Sequence, residues 1–238
     1  MIKYLFFDLD GTLLNMPSQD VFVNEYFKGL SSILNTNGYD AKKAIDALSK
    51  GLYFMIKNDG KVSNEEVFWN VFFKNYDCNK DVINLLSSFY ENDFDAVKVT
   101  TSSYDGLNDC LQNAKEKGYK LILSTNPIFP RVATLKRISW AGLDYSLFDY
   151  ITTYENSSYC KPNIKYYESI FEKFNIDPKE VIMFGNDTAE DMVISLSGAK
   201  TYLVDDCIID KPHCYQINYR SAMKDAIKFI NSLENIND

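Results

Sequence analysis

Hydrophobic and polar positions follow two different rhythms along this chain. Tyr4-Leu5-Phe6-Phe7 is a continuous apolar run without helical spacing, and Tyr119-Lys120-Leu121-Ile122-Leu123 and Val181-Ile182-Met183-Phe184 are similar runs. Such runs predict strands buried on both faces, as in parallel sheets. Tyr150-Ile151-Thr152-Thr153 and the stretch 201–204 read as shorter strands. Between them the spacing changes to that of amphipathic helices. Leu107, Cys110, Leu111 and Ala114 lie on one face, with Asp105 as the expected cap and Gly118 as the stop. Residues 131–138, 163–174 and 222–233 also read as helices, as does the stretch from Asp187 through Leu196. Repeated strand–helix units predict a Rossmann-like parallel α/β sheet with helices on both faces.

One block breaks the alternation. Between Leu14 and Thr100 four helical patterns succeed one another with no strand. Phe22, Tyr26, Leu30 and Ile33 form one stripe, and Ala41, Ala44, Ile45, Leu48, Leu52, Met55 and Ile56 another. Asn58-Asp59-Gly60 marks a turn, Ser63-x-x-Glu66 a capping box before the third helix, and 82–90 a fourth helical run. These could be layers on the sheet, but four helices in a row favour a separate all-helical insertion. The expected organisation is a core of residues 1–14 and 100–238, with residues 15–99 inserted.

Composition narrows the classes. The 238 residues are 46% hydrophobic and 15% aromatic, which suits a packed core and argues against disorder. A net charge of −8 argues against a nucleic-acid surface, whose footprint is basic. Asp8 and Asp10 interrupt the first apolar run too early for a signal peptide, and no uncharged run reaches the 18 residues of a membrane span. A cytoplasmic location is expected. Five cysteines form no C-x-x-C pair, and Cys207, His213 and Cys214 lack a fourth ligand and a recognised zinc spacing. His213 is the only histidine, so chemistry must run mainly on carboxylates, lysine or a metal.

Carboxylates stand where open α/β sheets place their chemistry, at the C-terminal ends of strands. Asp8-Leu9-Asp10-Gly11-Thr12 follows the first strand, and Gly185-Asn186-Asp187-Thr188-Ala189-Glu190-Asp191 follows the strand at 181–184. A single Asp at such a turn is usually a helix cap. Two of them followed by Gly-Thr are not explained that way. Ser124-Thr125-Asn126 ends the strand at 119–123, and Lys161-Pro162 precedes a helix. Alone, a strand-end hydroxyl is a turn residue and a lone Lys a solvated charge. Together they form an ordered series.

The series Asp8-x-Asp10-Gly11-Thr12, Ser124-Thr125, Lys161-Pro162 and Asn186-Asp187 with Asp191 resembles the four motifs of the haloacid dehalogenase (HAD) superfamily. The helical block resembles that family's C1-type cap domain. The resemblance implies a Mg²⁺-dependent phosphatase acting on a small phosphorylated metabolite through an aspartyl-phosphate. It assigns Asp8 as nucleophile and Asp10 as leaving-group acid and then base. It places Thr125, Asn126 and Lys161 on the phosphoryl oxygens, and Asp8, Asp10, Asp187 and Asp191 around the metal. Ser124 competes with Thr125 for the hydroxyl position, and Asn186 with Asp187 for the first acidic position. Asn15 stands where many relatives carry an acid.

The chemistry accounts for these residue types. An anionic phosphate facing several carboxylates at about 4 Å meets roughly 4 kcal/mol of repulsion per unit-charge pair at an effective dielectric of ~20. A hard divalent cation and a lysine offset that repulsion. Asp10 favours phosphoryl transfer, since the dehalogenases of the family lack this acid. A phosphomutase of the β-phosphoglucomutase type shares the four motifs and is the enzymatic alternative. A non-catalytic protein on the same fold would be expected to have lost one of them.

Overall fold

The computed structural model describes residues 1–236. Strands β1 (Tyr4–Phe7), β2 (Lys120–Leu123), β3 (Tyr150–Ile151), β4 (Val181–Gly185), β5 (Lys200–Val204) and β6 (Tyr219–Ser221) form one sheet in the order β3-β2-β1-β4-β5-β6. Every pairing is parallel, and β1 lies between β2 and β4 with Phe7 level with Leu123 and Phe184. The chain is therefore a Rossmann-like α/β fold. The strand order reverses beside β1, so its C-terminal end opens at a topological switch point, where this architecture binds ligands.

The run in β1 is apolar throughout because both of its faces are covered. Phe6 packs into a core with Tyr166, Ile170 and Met183, including helix α7 (Ile164–Phe174). Leu5 and Phe7 point the other way, into the core shared by α5 (Leu107–Glu116) and α8 (Met223–Asn231). Helix α6 (Arg131–Trp140) follows β2.

Between β1 and β2 lie α1 (Gln19–Thr36), α2 (Ala41–Ile56), α3 (Asn64–Asn75) and α4 (Asp81–Ser88). A π-helical turn at Phe89–Asp93 and a 3₁₀ segment at Phe94–Thr100 complete the block. Ser63 accepts from the Glu66 N–H at 3.1 Å, the expected N-cap of α3. Ala44, Ala47 and Gly51 keep one face of α2 thin, and a methyl group at Gly51 would lie 2.7 Å from the Phe68 ring of α3. The block enters and leaves the core side by side: Asn15 N–H donates to Ser102 O at 3.0 Å and Ser102 N–H to Asn15 O at 2.9 Å. Asn64, fully buried, also ties α3 to the core by donating to Pro127 O at 3.1 Å.

Three local expectations are corrected. Helix α5 is not capped by Asp105; Gly106, at φ +74°, makes the turn into it. The stretch after Asp187 is a tight turn followed by a 3₁₀ segment, Met192–Ser197, rather than an α-helix through Leu196. Strand β6 went unpredicted because its three residues are polar or exposed and show no alternation.

Asp149, next to β3, shows how charge supports the sheet edge. It accepts from Lys115 at 3.1 Å, Lys120 at 3.2 Å and the Leu121 N–H at 3.0 Å. Burial alone would raise this carboxyl, but the Leu121 N–H and the two ammonium groups outweigh it and hold it below its ordinary value. A depressed acid stabilises the fold above its unfolded value and loses that contribution as pH falls through its folded value. Asp149→Asn is therefore expected to cost about 1 kcal/mol at pH 6, the pair being partly solvent-screened. The difference should narrow steadily in urea unfolding as pH falls below the ordinary carboxylate range; a difference independent of pH would contradict this.

Candidate functional site

Four chain segments meet where β1 ends. Asp8 follows β1, and its Oδ1 accepts from Lys161 Nζ at 2.9 Å. The same ammonium donates to Asp191 Oδ1 at 2.6 Å, and Asp191 Oδ2 accepts from the Asp187 N–H at 3.0 Å. Asp187 Oδ1 accepts from the Ala189 and Glu190 N–H groups at 2.8 and 2.9 Å, and its Oδ2 from Lys211 Nζ at 2.5 Å. Three of the four sequence features, at Asp8, at Lys161 and at Asp187 with Asp191, are thus one cluster although up to 183 positions separate them.

Two glycines allow this approach. Gly11 adopts φ +82°, and a side chain there would run into the Asn186 amide. At Gly185, a methyl group would occupy the space of the Asp191 carboxyl.

The two candidates at each ambiguous register make different hydrogen bonds. Ser124 directs its hydroxyl to Phe7 O and Met183 Sδ, both at 3.3 Å, inside the sheet. Thr125 lies one residue further along. Asn186 donates to Cys207 O at 2.6 Å and accepts from Thr12 Oγ1 at 3.1 Å, which makes it a brace between loops. Asn126 also proves to be a brace: it donates to Glu190 Oε2 at 2.9 Å and accepts from the Lys161 N–H at 3.3 Å. The side-chain NH₂ carries a second N–H beyond these bonds. Asn15 donates to Ser102 Oγ at 2.9 Å, at the crossing between core and insert.

Burial dominates the electrostatics. It raises the Asp8 carboxyl, with Lys161 opposing and Asp10 adding to the rise. It pushes Asp191 up to about 7, again against Lys161. Burial also works against the Lys161 charge, but Asp191 and Asp8 outweigh it and hold the ammonium well above its ordinary value. Two buried acids compete for a single ammonium, and Lys161 stays charged.

Arg137 was not anticipated. It is 1% exposed, pairs with Asp10 Oδ2, donates from Nε to Ala133 O at 3.3 Å and stacks 4.3 Å from the Phe129 ring centroid. A signal existed: Arg137 falls on the α6 stripe of Ala133, Thr134 and Trp140, where a helix should be apolar. Lys211 and Glu190, which flank Asp187, gave no comparable local signal.

The donor set can be tested for a metal. Asp8, Asp10, Asp187, Glu190 and Asp191 are opposed by Lys161, Lys211 and Arg137, a formal deficit of two charges that a divalent cation would balance. The donors are oxygens, and Asp10 Oδ1 is buried without a hydrogen-bond partner. This chemistry fits a hard cation. Among the described residues no three acidic, histidine or cysteine side chains are grouped to hold an ion. Mg²⁺, which keeps waters and takes one or two carboxylates plus substrate oxygens, needs no such cage. Asp191 and Asp187 each use both carboxylate oxygens in hydrogen bonds, and Asp8 and Asp10 use one each on Lys161 and Arg137, so these bonds do not select among the expected set of four.

Comparison with known proteins settles the family. The family model of haloacid dehalogenase-like hydrolases matches residues 2–193. The chain belongs to the haloacid dehalogenase-like hydrolases. It is 25% identical over 209 residues to pyrophosphatase PpaX of Halalkalibacterium halodurans, covering 85% of this chain and 83% of that one. A HAD phosphatase from Thermococcus onnurineus has the same fold, with a TM-score of 0.60 at 18% identity over 99% of this chain and 100% of that one. The magnesium-bound HAD hydrolase YfnB from Bacillus subtilis matches with a TM-score of 0.57 at 19% identity, over 98% and 99%.

Proposed function

We infer that this HAD-like hydrolase is a Mg²⁺-dependent phosphatase of a small phosphorylated metabolite, with residues 15–99 acting as its cap. The observation that carries the reading is Lys161 bridging Asp8 and Asp191 at the end of the central strand. Asp8 lies at the switch point with Oδ2 bound only by a long 3.5 Å contact from Thr12. That oxygen attacks phosphorus, the ester O–P bond breaks, and an aspartyl-phosphate forms. Asp10 delivers a proton from Oδ1 to the departing oxygen, while Arg137 holds Oδ2. The same Oδ1 then takes a proton from the water that releases phosphate. Lys161, the Thr125 hydroxyl and the second side-chain N–H of Asn126 hold phosphoryl oxygens.

Asp8, Asp187, Asp191 (directly or through water) and Asp10, the last through its main-chain carbonyl, would hold Mg²⁺, which neutralises charge between phosphate and carboxylates when bound. Magnesium in the structure of YfnB supports this choice of ion. Asp191 anchors Lys161. The phosphomutase alternative requires cap groups that hold a sugar bisphosphate, and the apolar surface described below offers few.

Among the described residues no helix is long and apolar enough to cross a membrane. The five free cysteines are consistent with the cytoplasm as the proposed compartment.

Two results are expected. Phosphate release from p-nitrophenyl phosphate falls to background in EDTA and returns with Mg²⁺; activity indifferent to EDTA would contradict the reading. Arg137→Met lowers kcat on an alkyl phosphate by about 10²-fold, within the range of a general acid. It affects p-nitrophenyl phosphate much less, because that leaving group needs no proton. An equal loss on both would make Arg137 purely structural.

A further inference from the structure

A cavity of about 300 Å³ opens beside Asp10, between the helical insert and the core. Its eighteen lining residues comprise four Phe, three Tyr, one Trp, eight aliphatic, Met or Pro residues, Gln19 and Asp10. No Lys, Arg or His lines it. Four insert helices and the core loop 128–130 contribute to the wall. Asp10 marks the end nearest the reacting atoms.

The rings are held in place by one another. Phe68 and Trp69 meet edge to face at 4.9 Å, and Tyr26 and Phe129 at 5.7 Å. The hydroxyls of Tyr26 and Tyr90 bond each other at 2.7 Å, which uses up polar capacity within the wall. Braced aromatic walls with one charged group at the end describe a pre-formed site for an apolar ligand. The volume lies at the lower end for such sites, about 300 Å³.

We propose that the substrate is a phosphate monoester of an apolar, ring-bearing alcohol, whose ring system occupies this cavity while the phosphate lies at Asp8. The inference rests on the phosphatase reading above and adds the class of leaving group. Charge and hydrogen bonding decide it against the obvious competitors. A sugar would bring several hydroxyls into a wall with few free partners, and each buried hydroxyl left unpaired weakens binding. Pyrophosphate would place a second anionic phosphate in a space without a cation. This chain should therefore differ in substrate from the pyrophosphatase to which it is 25% identical.

The test compares three alkyl esters of similar intrinsic reactivity with pyrophosphate, an intrinsically more reactive anhydride. The enzyme with Mg²⁺ is assayed on 2-phenylethyl phosphate, ethyl phosphate, glucose 6-phosphate and pyrophosphate, and the binding of 2-phenylethanol is followed by the fluorescence of Trp69. The proposal predicts a kcat/KM for 2-phenylethyl phosphate at least tenfold above each of the others, mostly through KM. It also predicts saturable quenching by the alcohol. Hydrolysis of ethyl phosphate, glucose 6-phosphate or pyrophosphate as fast as the phenylethyl ester would overturn the proposal and leave the phosphatase standing. If no ester is hydrolysed, the phosphatase reading fails, and the alcohol decides alone: saturable quenching upholds the cavity as a receptor for an apolar ring, and no quenching overturns it.

Discussion

Asp8→Asn is expected to lower phosphate release by at least about 10³-fold while leaving the protein folded. The amide keeps the shape of the carboxylate and can still accept from Lys161 through its oxygen, but it is no nucleophile. The substitution also removes a buried charge whose carboxyl is raised by burial, with Lys161 opposing. An acid raised on folding stabilises fully below its unfolded value, and that contribution is lost as pH rises through its folded value. Replacing it with a neutral group should therefore leave the melting temperature unchanged or higher at pH 8, with less gain at pH 5. Lost activity together with a lower melting temperature would point to damage to the fold rather than to the nucleophile.

Lys161→Met should be the more damaging change. The ammonium is 1% exposed and is shared by Asp8 and Asp191 at 2.9 and 2.6 Å. Removing one partner from a buried ion cluster typically costs about 3–5 kcal/mol, since the remaining charges stay desolvated. The wild-type Asp191 carboxyl already sits at about 7, raised by burial despite Lys161. Without the lysine, both acids would bind protons more strongly in the folded state. By the same linkage, the loss in stability is largest at pH 8 and shrinks toward pH 5. Adding Asp191→Asn to Lys161→Met should recover part of the stability and none of the activity. Urea unfolding at the two pH values and phosphate release check both parts. A stable Lys161→Met variant, or recovery of activity in the double variant, would contradict the assigned roles.

What was legible in the sequence followed from local physics. Tyr4-Leu5-Phe6-Phe7 had to be covered on both faces, and the parallel sheet covers it with α7 on one side and α5 and α8 on the other. The stripes of α1 and α2 and the Ser63 cap were visible because helical periodicity and capping act over a few residues. The meeting of Asp8, Lys161, Asp187 and Asp191 could be anticipated because the acids follow the ends of β1 and β4 and Lys161 precedes α7, which packs on the same sheet.

Long-range pairings stayed hidden. Lys211 reaches Asp187 from beyond β5, and no spacing along the chain encodes that. The bonds of Asn126 to Glu190, 64 positions away, and to the Lys161 N–H were equally invisible in the sequence. Where an α-helix was expected after Asp187 there is a tight turn, in which Asp187 Oδ1 accepts from the Ala189 and Glu190 N–H groups and Asp191 folds back onto the Asp187 N–H and Lys161, a long-range ion pair that the sequence does not encode. Arg137 lay between these extremes, visible as a charge on an apolar stripe, although its partner Asp10 lies 127 positions away.

Chemical trapping tests the role of Asp8 most directly. The enzyme turning over a phosphate ester with Mg²⁺ is quenched in acid, reduced with borohydride and digested for mass spectrometry. An aspartyl-phosphate would appear as homoserine at position 8, in the wild type during turnover and not in Asp8→Asn. Reduction at another acid, or turnover without any reducible acyl-phosphate, would contradict Asp8 as the nucleophile.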